Sequence, residues 1–218
     1  MKILVIAPHN DDEVLGVGGT IAKYAKAGHE VVVCEVTSGD PKLWEMIMSE
    51  ASKAHKKLGV ARFECLHLPV VGLKDTLMKE INSKFEQLVR EVKPEIAFIP
   101  HKGDMHRDHQ ETSAAAMVAL RPYSNPQLKA IYAYETLSET EWNIPSTENV
   151  FIPDTWNDIT DFINIKKDAM RCYKSQLSEF PNPRSIEAID ALAKLRGSTI
   201  GFRYAECFMT IRRKLEEL

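Results

Sequence analysis

The chain has 218 residues with a hydrophobic fraction of 44%, enough to bury a sizeable core, and we expect a single domain over residues 1–218. Its 28 Lys and Arg against 31 Asp and Glu give a net charge of −3, with both signs interspersed, which argues against nucleic acid or an anionic membrane surface as a partner. No apolar run reaches the length of a membrane span, and the first residues lack the pattern of a signal peptide.

The first hundred residues predict an alternation of strands and helices. Short β-branched runs indicate the strands, whereas a stripe of apolar residues at helical spacing and a C-terminal cap at Gly59 indicate the helices. In chain order the prediction is a strand at residues 1–7, a helix near 18–27, a strand at 30–37, a helix at about 41–58, a strand at 63–68, a helix at 77–92 and a strand at 95–100.

The second half of the chain has a less regular pattern. The run Phe180-Pro181-Asn182-Pro183 predicts a turn. In chain order the prediction is a helix at residues 110–121, a strand at 130–135, a short strand at 150–153, a helix at 156–176, a helix at 186–195 and a last element around Ile211 that ends the fold.

Strands separated by helices predict right-handed βαβ crossovers. The expected fold class is therefore α/β, with a Rossmann-like, mostly parallel sheet flanked by helices on both faces. Ligands bind such sheets beyond the carboxyl ends of the strands. The functional residues are accordingly expected in two loops, one after Ala7 and the other after Pro100.

The loop after Ala7 carries a histidine and three consecutive acids, His9, Asp11, Asp12 and Glu13, directly behind a buried strand. Adjacent carboxylates repel one another and are costly beside an apolar core unless a cation neutralises them. This loop therefore predicts a metal site.

The loop after Pro100, residues 101–109, holds three of the seven histidines. Two histidines and one carboxylate leave coordination positions open, as a catalytic metal requires, and a bound ion acidifies water and polarises a carbonyl oxygen. Asp11 is then a candidate base and a second histidine a candidate acid or oxyanion donor. Taken singly, each of these residues also has an ordinary explanation, such as a helix cap or a surface position. Their joint placement at two strand ends expected to adjoin favours the metal.

Both loops resemble the signatures of the LmbE-like, or PIG-L, family of zinc-dependent N-acetylglucosaminyl deacetylases. The family's A-H-P-D-D-E motif corresponds to PHNDDE at residues 8–13, and its D-x-H-P-D-H motif corresponds to DMHRDH at residues 104–109. Asn10 and Arg107 stand where the motifs usually carry proline. The glycine-rich residues 16–20 and weaker matches downstream extend the resemblance over nearly the whole chain.

The resemblance implies three metal ligands: His9, Asp12 and His109. It implies that Asp11 is the general base and that His106 stabilises the tetrahedral intermediate or protonates the leaving amine. Asp108 would be the carboxylate that orients His106. Glu13 and Asp104 would hold ligands in place by hydrogen bonds.

The resemblance also implies the reaction. The family removes an acetyl group from an N-acetylglucosamine unit, so the expected activity is zinc-dependent hydrolysis of a small N-acetylated sugar or glycoconjugate by metal-activated water. Another divalent ion is compatible with the same ligands. Homo-oligomerisation stays open.

Two departures from the family pattern concern the substrate. Ile47 stands where many members carry an arginine, and Val70 stands where many carry an acid. Both usual groups help to hold sugar hydroxyls or stabilise the site. Asp75, Arg184 and Arg196 are candidate substitutes. The alternative function is therefore a metal-dependent amidase that acts on a different N-acyl substrate.

Three other readings compete with a deacetylase. A glycine-rich turn before a helix is also found in nucleotide-binding modules, although the spacing is not G-x-G-x-x-G and the preceding acids would repel a pyrophosphate. Two histidines and one carboxylate also match a non-haem iron oxygenase. A third reading is a homologue that has lost catalysis.

The remaining histidines and the cysteines have ordinary interpretations. The four cysteines form no C-x-x-C pair, which predicts reduced thiols and a cytoplasmic location. His29, His55 and His67 lie outside the two loops and are expected to be ordinary residues. His101 is expected at the surface.

Overall fold

The computed structural model describes residues 1–39 and 41–215. Its strands are Lys2–Ala7 (β1), Glu30–Ser38 (β2), Arg62–Pro69 (β3), Ile96–Pro100 (β4), Ala130–Tyr134 (β5), Thr155–Asp158 (β6) and Ala205–Arg213 (β7). Its helices are Asp12–Lys26 (α1), Trp44–Leu58 (α2), Met78–Val92 (α3), Arg107–Ala119 (α4), Ile163–Met170 (α5) and Ile186–Ser198 (α6), with a short 3-10 helix at Leu73–Asp75. Among the described residues, no helix is both long and apolar enough to cross a membrane.

The seven strands form one sheet in the order β3-β2-β1-β4-β5-β7-β6. Strands β3, β2, β1, β4 and β5 are parallel, whereas β7 runs antiparallel to both β5 and β6. The predicted α/β fold with a mostly parallel sheet is thus confirmed. The direction of chain progression reverses between β1 and β4, and sheets of this kind bind ligands at such a switch point.

Strand β1 lies between β2 and β4 and is buried on both faces. Leu4 and Ile6 belong to the apolar cluster on one face of the sheet, whereas Ile3 and Val5 belong to the cluster on the other. Burial on both faces explains why the strand is continuously apolar instead of alternating. Burying each such side chain contributes about 1.5–3 kcal/mol, so the loop that follows Ala7 starts from a firmly held strand.

Helix α1 begins at Asp12, six residues before the predicted start near residue 18. Because glycine has a low helix propensity, the glycines in the first turns of α1 favour a helix that starts later. The fold requires them, because a Cβ on Gly16 would lie 2.2 Å from the Tyr134 ring and a Cβ on Gly19 would lie 2.8 Å from Ile159. Close packing therefore outweighs propensity here, and the acids of the first loop lie at the helix N-terminus.

The second half corrects two predictions. The predicted helix at residues 156–176 is a strand, β6, followed by the shorter helix α5, and residues 150–153 form no strand. Strand β6 forms because it pairs with β7, with Trp156 opposite Cys207, which is a long-range pairing that no local pattern encodes. The other predicted elements are confirmed with shifted ends, and Gly59 ends α2 with a φ of 77° as predicted.

Candidate metal and active site

The two predicted loops meet at the carboxyl ends of β1 and β4. His9 lies in the first loop, Asp12 in the first turn of α1, and His109 in the first turn of α4. Nδ1 of His9 is 3.3 Å and Nε2 of His109 is 3.2 Å from the same oxygen, Oδ2 of Asp12. Ligand atoms about 2.0–2.1 Å from a tetrahedral ion are separated by about 3.3 Å. Both separations therefore suit a zinc-sized ion, and all three donors lie within 4.8 Å of one another.

Buried donor atoms at this point lack protein partners. Asp12 and His109 are fully buried, yet neither Oδ1 of Asp12 nor Nε2 of His109 has a hydrogen-bond partner among the described residues. Buried polar atoms almost always have a hydrogen-bond partner. The lack of one at both Oδ1 of Asp12 and Nε2 of His109 is consistent with a cation that both residues would bind. His9, His106 and Asp108 form a second set of close donors, but it shares His9 with the first.

In each candidate histidine ligand, the ring nitrogen that does not face Asp12 lies next to a carboxylate. Nε2 of His9 lies 3.1 Å from Oδ2 of Asp108, and Nδ1 of His109 lies 2.8 Å from Oδ2 of Asp104. A carboxylate in this position fixes the ring orientation and the tautomer, and it makes the opposite nitrogen a better ligand. Both histidines are therefore oriented to present one nitrogen to Asp12.

Asp108 contacts His9 instead of the residue that the family pattern suggested. Its carboxylate is 3.9 Å from Nδ1 of His106, too far for a hydrogen bond. It accepts hydrogen bonds from the backbone N–H groups of Val71 at 2.6 Å and Leu73 at 3.3 Å. Asp108 thus joins His9 to the loop after β3.

His106 is the N-cap of α4. Its Nδ1 accepts a hydrogen bond from the backbone N–H of Asp108 at 3.1 Å, so in the neutral ring Nε2 carries the proton. Burial and the charge of His9 lower the pKa of His106. A neutral imidazole whose free nitrogen is a donor can stabilise a developing negative charge, which favours the oxyanion role over that of a general acid.

Asp11 is held in an uncommon backbone conformation. Its φ of 107° lies in a region that L-residues rarely adopt, and its carbonyl accepts the backbone N–H groups of Val14 and Leu15 as α1 begins. Oδ2 of its buried carboxylate has no hydrogen-bond partner among the described residues, although the guanidinium of Arg184 lies 3.8 Å away. Burial and the charge of Asp12 raise the pKa of Asp11 well above its usual range.

The charge states of the ligands follow from their mutual contacts. Burial alone would lower the pKa of His9, but its hydrogen bonds to Asp108 and Asp12 outweigh that effect and raise it to about 9. Burial would raise the pKa of Asp12, but the charges of His109 and His9 hold it well below its usual range. The metal-free site is therefore zwitterionic at neutral pH, with protons where a cation would bind.

A cleft of about 260 Å³ opens beside these residues. Its apolar wall includes Trp44, Ile47 and Val70, so the two positions that depart from the family pattern do face the candidate site. Arg184 lines the cleft, whereas Arg196 is paired with Glu135 elsewhere. A larger cavity of about 620 Å³ touches none of the six predicted chemical residues.

His55, expected to be an ordinary residue, and His101, expected at the surface, are both buried. Nε2 of His55, with 5% of the residue exposed, lies 3.2 Å from Oε1 of Glu13, and His101, with 1% exposed, contacts the backbone oxygen of Asn149 at 3.0 Å. Glu13 itself bonds to the backbone N–H of Asp11 instead of to a candidate ligand. No local pattern signalled these contacts, because the partners lie 42 or more residues apart along the chain.

Comparisons with known proteins identify the family of this chain. The model of the family PIG-L, described as GlcNAc-PI de-N-acetylase, matches residues 4–120, more than half of the chain and a stretch that contains both loops. The diacetylchitobiose deacetylase of Thermococcus kodakarensis is 25% identical over 225 residues, which cover 94% of this chain and 81% of that protein.

Solved structures show the same fold. The conserved protein TT1542 from Thermus thermophilus has a TM-score of 0.80 at 29% identity, covering 99% of this chain and 96% of that chain. GalB, the 4-carboxy-2-hydroxymuconate hydratase from Pseudomonas putida, has a TM-score of 0.79 at 20% identity, covering 100% of this chain and 98% of that chain. The likeness to GalB is a likeness of fold alone, and it shows that this architecture also serves another reaction.

Proposed function

This chain belongs to the PIG-L family, the GlcNAc-PI de-N-acetylases, and from that premise we propose that it hydrolyses the acetamide of an N-acetylglucosamine-type substrate to acetate and a free amine. The observation that carries the proposal is the convergence of His9, Asp12 and His109 on one point at the switch point of the sheet. Zn²⁺ is the proposed ion, and another divalent ion would suit the same ligands. When bound, it supplies Lewis acidity, which lowers the pKa of a water ligand and polarises the amide carbonyl.

Asp11 is the proposed general base. Its unpartnered Oδ2 is available to accept a proton from the attacking water, and its raised pKa brings proton uptake closer to neutral pH, where a base is most effective. The protonated carboxyl can then return that proton to the leaving nitrogen. Arg184, 3.8 Å from Asp11, limits how far the pKa rises.

His106 is the proposed donor to the carbonyl oxygen. Its Nδ1 is occupied by the backbone N–H of Asp108, which leaves Nε2–H to stabilise the charge that develops on that oxygen. Asp108 is proposed to act through His9, whose ring it orients, instead of through His106.

The chemical class of the substrate is a separate proposal from the hydrolysis itself. The acetyl-sugar assignment rests on the family, whereas Trp44, Ile47 and Val70 give this cleft an apolar wall. A different N-acyl compound is therefore the alternative substrate for the same chemistry. A nucleotide is disfavoured, because Asp11, Asp12 and Glu13 occupy the N-terminus of α1 where a pyrophosphate would have to bind.

A screen for acetate release tests this function. The zinc-loaded protein, a chelated control and the Asp11→Asn variant would be incubated with N-acetylated mono- and disaccharides and with N-acetyl compounds that contain no sugar. We expect acetate from at least one sugar, only from the loaded wild-type protein. Release only from sugar-free amides would shift the substrate class, and oxygen-dependent turnover without acetate would point to the iron oxygenase.

Three further predictions from the sequence stay proposals. A single domain over residues 1–218 is supported by the one continuous sheet of the described residues. A cytoplasmic location is supported by the four cysteines, which are all free thiols. Self-association of the chain is left to measurement.

A further inference from the structure

A second group of potential ligands lies next to the candidate site. Glu13 is in the first turn of α1, Glu35 is near the end of β2, and His55 is in α2. Glu35 pairs with Ala7 across the sheet, which places it beside the first loop. The three residues are 0%, 0% and 5% exposed, and one donor atom of each lies within 4.8 Å of the others.

Glu35 is the unexplained member of this group. Neither of its carboxylate oxygens has a hydrogen-bond partner among the described residues, although the side chain is fully buried. Glu13, by contrast, accepts the backbone N–H of Asp11, the hydroxyl of Tyr173 at 2.5 Å and a contact from His55. A buried carboxylate without partners is costly, so Glu35 calls for a group that neutralises it.

A proton on Glu35 would meet only part of this need. It would remove the charge but leave a buried O–H without an acceptor and a carbonyl oxygen without a donor, because neither oxygen has a partner among the described residues. A cation would neutralise Glu35 and would also bind an oxygen of Glu13 and the nitrogen of His55. Two carboxylates and an imidazole form the mixed oxygen and nitrogen set that divalent first-row transition ions prefer.

We propose that Glu13, Glu35 and His55 bind a second divalent ion, Zn²⁺ or a close relative, in a buried structural site. Burial on all sides leaves no approach for a substrate, unlike the cleft beside His9. The ion would connect α1, β2 and α2, and through Glu13 it would support the strained backbone at Asp11. This site is independent of the proposed reaction, since its presence is read from metal content.

Zinc stoichiometry is the first test. The protein would be stripped with chelator, reconstituted with Zn²⁺ alone, passed through a desalting column and analysed for zinc per chain. We expect two ions in the wild type, and one each in Glu35→Gln and in His109→Ala. Glu139→Gln is the matched control, because Glu139 is also buried with one unpartnered oxygen but belongs to no cluster of donors among the described residues, and it should keep two. One ion in the wild type, or two in Glu35→Gln, would overturn the proposal.

Chelation kinetics and diffraction give independent readouts. The wild type should lose zinc in a fast phase and a slow phase, and Glu35→Gln should lack the slow phase because the buried ion is gone. If Glu35→Gln does not fold, His55→Gln replaces it. Anomalous diffraction of wild-type crystals grown with zinc needs no variant: a peak among Glu13, Glu35 and His55 supports the site, and density only at His9 or His106 refutes it.

Discussion

Changing Asp104 to Asn removes the charge behind His109 while keeping the shape of the side chain. Oδ2 of Asp104 lies 2.8 Å from Nδ1 of His109, and Oδ1 accepts the hydroxyl of Thr140 at 2.6 Å. Asparagine can keep both contacts, since its carbonyl can accept from His109 and its amide can donate to the Thr140 oxygen. Only the charge that strengthens Nε2 as a ligand is lost. We expect zinc affinity to fall about 10–100-fold, which is about 1.4–2.7 kcal/mol.

Competition between the protein and a zinc-binding dye at fixed pH measures this change directly. Thr140→Val is the matched control, because it removes the other hydrogen bond of Asp104 but leaves the charge, and its zinc affinity should change much less. Circular dichroism shows whether both variants are folded. A folded Asp104→Asn protein that binds zinc as tightly as the wild type would contradict the inference that His109 is a ligand supported by this carboxylate.

Three further predictions concern the proposed base Asp11, the protons that zinc must displace from its histidine ligands, and the packing of helix α1. Asp11→Asn should retain zinc by elemental analysis but lower turnover by about 10²–10⁴-fold, and unchanged turnover would remove Asp11 as the base. Because the pKa of His9 is raised to about 9 from 6.5 and that of His109 is raised as well, zinc must displace a proton from each ring, and a titration should show zinc affinity rising at least tenfold per pH unit between pH 7 and 9. The protonated ring stabilises the metal-free fold fully below pH 6.5, and urea melts should show this contribution, on the order of 3 kcal/mol, disappear as the pH rises through 9. Gly16→Ala should destabilise the fold by roughly 2–4 kcal/mol in the same melts, because its Cβ would enter the Tyr134 ring, whereas the Cβ of Gly18→Ala would come no nearer than 3.2 Å to Lys166 and 3.3 Å to Val14 and should cost much less.

The sequence could locate the candidate site because its residues are local to two strand ends. His9 and Asp12 follow one apolar run, His109 follows another, and the carboxyl ends of parallel strands lie at one edge of the sheet. The roles of residues that depend on distant partners could not be found in this way. Asp108 is held against His9 by hydrogen bonds from the backbone N–H groups of Val71 and Leu73, which follow β3. No local sequence pattern predicts these hydrogen bonds.

The same distinction explains the errors in the fold. Strand β6 has few strand signals of its own and forms because β7 is available to pair with it, so residues 156–158 could not be assigned from their neighbours. His55 faces the core because α2 packs beside α1, and its spacing along the helix gives no sign of the glutamate that it contacts. Long-range contacts of this kind decide which polar residues are buried.

Asp108 connects the metal ligands to the wall of the cleft. Its Oδ2 atom lies 3.1 Å from His9 and 2.6 Å from the backbone N–H of Val71, and the neighbouring Val70 lines the cleft. A substrate that displaced this loop would therefore shift the carboxylate that orients His9. Asparagine cannot reproduce this arrangement, because its amide nitrogen would face the N–H of either Val71 or Leu73. Asp108→Asn should consequently raise KM and weaken zinc binding together, whereas Asp104→Asn, which has no contact with the loop, should weaken zinc binding alone. Equal KM values for the two zinc-saturated variants would refute this coupling.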